Sequence, residues 1–143
     1  MGVLAGYPLM DINIELLSYE KRDNESTAMA FKVAASNAIR QALLGATSKL
    51  LEPVFKLEVI TPDDYMGGVI SDLNSRRGKI NGMNPKSEGV QIVNADVPLM
   101  NLFGYATDLR SASQGRASFS MEFLEYATLP EKLSQELLKK WGR

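Results

Sequence analysis

The 143-residue chain contains neither cysteine nor histidine. The first absence excludes disulfides, thiolate metal sites and thiol catalysis; the second removes the commonest general base and the commonest metal ligand. Most hydrolase and zinc chemistries end there, so the expectation is no catalytic residue and no metal site. No apolar run approaches the roughly 20 residues of a bilayer span, and no membrane partner is expected. The N-terminus lacks the basic region and apolar core of a secretory signal. The expected location is cytoplasmic, or an organelle if the source is eukaryotic. No Gly-x-x-x-x-Gly-Lys-[Ser/Thr] run is present to cradle nucleotide phosphates. Lys and Arg number 16 against 17 Asp and Glu, a net charge of −1, which is too little for the whole chain to gather nucleic acid. Any RNA contact must come from local clustering.

What is present is a globular composition, with 45% hydrophobic and 23% charged residues, in a length that suits one domain or two small units. Met10 to Leu16 alternates apolar and polar residues, the period-two pattern of a half-buried strand. After a polar loop from Ser18 to Glu25, Ser26 is the expected N-cap of a helix running to about Ala46. Phe31, Ala35, Ala38, Ile39, Ala42 and Leu43 form its apolar face, and the alanines imply close packing on a sheet. Leu50-Leu51-Glu52-Pro53 marks a junction, with a short returning strand expected near Leu50.

Beyond the junction Phe55, Leu57 and Val59 alternate with Lys56 and Glu58 as a strand. Thr61 as cap, Pro62 at the first helical position and the Asp63-Asp64 pair then open a helix that is expected to stop at Gly78. Lys79 to Met83 and Gly89 to Val97 read as strands joined by a turn over residues 84–88. Asp96 and Pro98 open a second helix with Leu99, Leu102, Phe103 and Ala106 on one face. Arg116 to Tyr126 closes the series as a strand. The order β-α-β-β-α-β predicts an α+β chain with a ferredoxin-like split βαβ domain, a four-stranded antiparallel sheet with two helices. A partial β-α-β unit precedes it. A last amphipathic helix, Glu131 to Trp141, carries Leu133, Leu137 and Trp141 at four-residue steps and needs a docking surface.

The charge is uneven. From Arg76 to Arg116 there are six basic residues (Arg76, Arg77, Lys79, Lys86, Arg110 and Arg116) against three acidic ones (Glu88, Asp96 and Asp108). Arg76, Arg77 and Lys79 cluster at a helix C-terminus, where cations complement the helix dipole or neutralise RNA phosphates. Read as RNA contacts, the two guanidinium groups should project to solvent near Lys79. Gly67-Gly68 inside a helix costs about 1 kcal/mol per residue relative to Ala, and tight packing against the sheet is favoured over close approach of a partner. An RNA-recognition motif would place exposed aromatics on its third strand, and Gly89 to Ala95 has none. Phe103 is expected in the core, whereas Tyr105 is left open.

Two runs carry a wider resemblance: Tyr65-Met66-Gly67-Gly68-Val69-Ile70-Ser71-Asp72-Leu73-Asn74-Ser75-Arg76-Arg77-Gly78, and Phe103-Gly104-Tyr105-Ala106-Thr107-Asp108-Leu109-Arg110-Ser111 followed by Gln114-Gly115-Arg116. With Leu51-Glu52-Pro53 and Gly6-Tyr7-Pro8 upstream, they resemble the end of translation elongation factor G. The resemblance implies the C-terminal half of a domain IV-like unit over 1–52, a ferredoxin-like domain V over 53–128 and a C-terminal helix over 129–143. It implies a non-catalytic part of a GTPase that promotes translocation of tRNA and mRNA. GTP and Mg²⁺ would bind in an N-terminal domain outside this chain, and no cofactor is expected within it. Met1 is expected to start a shortened reading frame. The implied partner is the ribosome: large-subunit rRNA near the stalk base and sarcin-ricin loop through Arg76, Arg77, Lys79, Arg110 and Arg116, and tRNA and mRNA at the decoding site through the tip loop with Lys21, Arg22 and Asn24. Arg22 stands where the family often has His. The alternatives are a ribosome-recycling or ribosome-protection paralogue, or a stand-alone ferredoxin-like module that binds an effector or a protein.

Overall fold

The computed structural model describes residue 2 and residues 4–141; Met1, the expected start of a shortened frame, lies outside the described residues. The elements are α1 (Ala28–Gly45), β1 (Leu51–Pro62), α2 (Asp63–Ser75), β2 (Lys79–Ser87), β3 (Val90–Pro98), a 3-10 turn (Leu99–Asn101), α3 (Tyr105–Ala112), β4 (Ser118–Thr128) and α4 (Glu131–Lys140). They divide into two units, Leu51–Thr128 and the segments flanking it on both sides.

In the Leu51–Thr128 unit the four strands form an antiparallel sheet in the order β2-β3-β1-β4, the arrangement of the split βαβ fold. Alternation along β1 sends Leu57 and Val59 to the helix side, joined from β3 by Val93, Ala95 and Val97. Val69 and Leu73 of α2, Leu102, and Tyr105 and Leu109 of α3 close the core over them. The opposite face carries a row of alternating sign across the sheet, because Lys79 is in register with Asp96, Asp96 with Lys56, and Lys56 with Glu122. Cross-strand pairs of opposite charge suit a solvated face.

Local boundaries differ from the sequence reading for identifiable reasons. Thr61 does not cap α2: it is a fully buried residue of β1, and its hydroxyl donates to the Pro62 carbonyl at 3.2 Å. Pro62 takes the N-cap position, and the Asp63 N–H donates to the Gly89 carbonyl at 3.0 Å. The hairpin turn is two residues, Glu88-Gly89, with Gly89 at φ 72°. Pro85 is tolerated inside β2 because that strand is an edge with irregular register at Pro85/Ser87. The second helix is split. Gly104, at φ 76°, breaks it between the 3-10 turn and α3, so Phe103 falls outside the helical stripe.

In the flanking unit, Met10 to Leu16 forms no strand, and Ile12, Ile14 and Leu16 are exposed. A strand exists only through its ladder, and no partner strand occurs among its described residues. For the same reason the alanines of α1 meet no sheet, and the helix buries no residue. Its cap is Thr27, one residue beyond the expected Ser26, with the Ala30 N–H donating to Thr27 Oγ1 at 3.1 Å. Ser26 instead closes the preceding loop by accepting from the Arg22 N–H at 2.6 Å. No returning strand forms near Leu50, whose carbonyl accepts from the Leu129 N–H at 2.9 Å. Trp141 meets Tyr7 edge to face at 5.7 Å. Among the described residues no helix is long and apolar enough to cross a membrane.

Candidate RNA-contact surface

The basic cluster sits where α2 ends. Gly78 N–H donates to the Leu73 carbonyl at 2.9 Å and Arg77 N–H to the Asn74 carbonyl at 3.3 Å, the paired bonds of a Schellman cap. That cap places a left-handed residue ahead of its last member, and the residue there is Arg77, at φ 62°, where glycine is usual. The glycine stands one position later, for a different reason. A Cβ on Gly78 would lie 2.6 Å from the Leu73 carbonyl oxygen.

Both arginines turn inward, and their expected projection to solvent is not found. Arg76, whose side chain is only 13% exposed, donates from Nε to Asp72 at 2.9 Å and from Nη1 to the Asn101 carbonyl at 2.8 Å, and it pairs with Asp108 through Nη2. Its guanidinium also lies 5.0 Å from the centre of the Tyr105 ring. Burial opposes its charge, but the Asp72 and Asp108 carboxylates outweigh that, so its pKa is raised. Arg77 binds Glu52 through both nitrogens, at 2.5 and 3.3 Å, and donates to Asn101 Oδ1 at 3.2 Å. Five planar donors per guanidinium suit this multi-acceptor bracing. The two arginines clamp the turn between β3 and α3 to the end of α2 and the start of β1.

The remaining candidates are spread out. Lys79 is exposed and faces Asp96 in register. Arg110, on the last turn of α3, is exposed, and Arg116 lies 5.9 Å over the Tyr65 ring. Neither Arg110 nor Arg116 has a salt-bridge partner among the described residues. In the other unit Lys21, Arg22 and Asn24 occupy an exposed turn, with Asn24 at φ 67°. Arg22 approaches Glu25 at 3.8 Å with both side chains largely exposed, a pairing of little energy. Gly67 and Gly68 face solvent with nothing within 4 Å of a Cβ, so the packing reason for them does not hold. Phe103 is 77% exposed and Tyr105 is 1% exposed, the reverse of the sequence assignment.

Sequence reasoning missed the acceptors Glu52, Asn101, Asp72 and Asp108. Only Asp72 left a local signal, four residues before Arg76 on one helix face. Glu52 and Asn101 are about 25 residues from Arg77 and meet it only through the fold. The Tyr105 hydroxyl is buried with no hydrogen-bond partner among the described residues. Burial, followed by the Asp72 charge, pushes its pKa up to about 12.

The fold and its cation-bearing helix ends are those of an α+β domain of a translation factor. The family described as elongation factor G C-terminus matches residues 49–137, and that described as elongation factor G, domain IV matches residues 1–47. The chain belongs to the elongation factor G family. It is 55% identical over its full length to elongation factor G 1 of Bdellovibrio bacteriovorus, of which it spans 20%. It is also similar to a crystal structure from Thermus thermophilus, with a TM-score of 0.88 and 34% identity over 97% of this chain and 21% of the other.

Proposed function

We propose that this chain is the ribosome-contacting C-terminal part of an elongation factor G type GTPase acting in tRNA–mRNA translocation, with its ferredoxin-like unit against large-subunit rRNA. The observation that carries the reading is the pair Arg110 and Arg116, cations without acidic partners among the described residues on the α3 side of a unit whose other arginines are neutralised internally. That unit has ten acidic and seven basic residues, so its affinity for RNA rests on where these charges stand. Arg76 and Arg77 support the surface from behind, and Lys79 contributes from the sheet edge. Lys21, Arg22 and Asn24 take the contacts with tRNA and mRNA at the decoding site. GTP and Mg²⁺ are assigned outside this chain, and titration calorimetry on it should show no micromolar affinity for GTP. A stand-alone module is not favoured by matches that cover both halves of the chain.

The test is salt-dependent binding to purified large ribosomal subunits. Arg110→Ala with Arg116→Ala should weaken binding and lower the slope of log affinity against log salt by up to about two units, leaving the unfolding midpoint unchanged. Identical affinities and slopes in wild type and double variant would overturn the reading.

A further inference from the structure

We propose that Phe103 is a stacking contact for an unpaired nucleobase, held out from the domain by a turn that the two inward-facing arginines fix. The inference rests on the RNA-contact reading above and names a specific recognition element within it. Phe103 is 77% exposed, the most exposed large apolar side chain of the Leu51–Thr128 unit. Its neighbours are anchored. Leu102 and Tyr105 are buried in the core, and the Gly104 backbone is left-handed at φ 76°. The Asn101 carbonyl accepts from Arg76 at 2.8 Å and the Phe103 carbonyl at 3.4 Å, while Arg77 holds the Asn101 side chain. The backbone that presents the ring is therefore ordered before any partner arrives, and ordering it costs nothing further on binding.

A nucleobase fits the surroundings better than a protein pocket. The exposed residues that follow on α3 are Ala106, Thr107, Asp108, Arg110 and Ser111, which are small, hydroxyl-bearing or charged, and Asp108 is already paired with Arg76. A protein-docking anchor is usually ringed by further apolar side chains, and α3 offers none of large size. An aromatic face with arginines and hydroxyls nearby is the composition used for unstacked bases, the cations taking phosphate and the ring taking the base.

The test uses the full chain and purified large ribosomal subunits, with Phe103→Ala, Phe103→Leu and Phe103→Trp compared at several salt concentrations. Stacking predicts that Phe103→Ala weakens binding by about tenfold or more without changing the salt slope. Phe103→Leu should be nearly as weak, and Phe103→Trp should retain affinity. In a Phe103→Trp, Trp141→Phe variant, indole fluorescence should be quenched on binding. Retention by Phe103→Leu with loss by Phe103→Trp identifies an apolar protein pocket and overturns the proposal. Wild-type binding by Phe103→Ala also overturns it; if Arg110→Ala with Arg116→Ala still lowers the slope, only the stacking inference fails, and if neither set has an effect the whole contact reading fails with it.

Discussion

The Tyr105 phenol is buried beneath the Arg76 guanidinium and against Phe119, at ring distances of 5.0 Å each, with its hydroxyl unpartnered among the described residues. Its ring is useful to the core and its oxygen is not, so Tyr105→Phe should raise stability by about 1 kcal/mol, read as a higher urea midpoint. The pH dependence follows from the raised pKa. The unfolded phenol releases its proton near pH 10 and the folded one near 12, so the folded state binds more protons in that window. Stability is fully present below pH 10 and declines as pH rises toward 12, and the Phe variant should lose this part of the decline. At Arg77 two effects compete. Its left-handed backbone costs about 1 kcal/mol in a residue with a Cβ, while its pairing with buried Glu52 protects a carboxylate that would otherwise be stranded. Arg77→Ala should therefore cost about 2–3 kcal/mol and Arg77→Gly about 1 kcal/mol less. In a denaturant double-mutant cycle, Glu52→Gln with Arg77→Ala should cost less than the two single changes summed.

Along α2 and its C-terminal cap, three glycines are expected to respond to alanine with opposite signs. Gly67 and Gly68 have open space where a methyl would stand, with no φ in the left-handed range, and Ala at either site should raise the thermal midpoint through about 0.5–1 kcal/mol of helix preference. Gly78→Ala drives a methyl into the Leu73 carbonyl at 2.6 Å and should lower it by about 1–3 kcal/mol. A uniform response at all three positions would contradict this account of how the helix ends. The same cap holds the α2 terminus in place to present both arginines to the turn before α3, so the geometry of one helix end sets the position of Phe103.

The whole chain is unequal in how much of itself it covers. In the Leu51–Thr128 unit, strands β1 and β3 lie in the middle of the sheet and bury a continuous core, whereas the flanking unit leaves Ile12, Ile14, Leu16 and Phe31 exposed and α1 without a buried residue. Hydrogen exchange should accordingly be slowest at the β1 and β3 amides and fast from Met10 to Leu16. Comparable protection in the two segments would contradict that ordering.

Periodicity, turn residues and charge placement were enough to read the split βαβ order, because each of those signals is local and the fold agrees with them throughout Leu51–Thr128. The family resemblance was legible for the same reason, in motifs that lie within single helix ends and turns. Three matters were settled only in three dimensions. Met10 to Leu16 has a strand's alternation but no ladder partner among the described residues, and pairing is a property of two segments. Phe103 and Tyr105 exchanged places because the left-handed Gly104 backbone stops the helix that a continuous stripe would need. Arg76 and Arg77 turned inward because their acceptors, Glu52, Asn101 and Asp108, are 24 to 32 residues away in sequence and come within hydrogen-bond reach only when β1, α2 and α3 pack around one core.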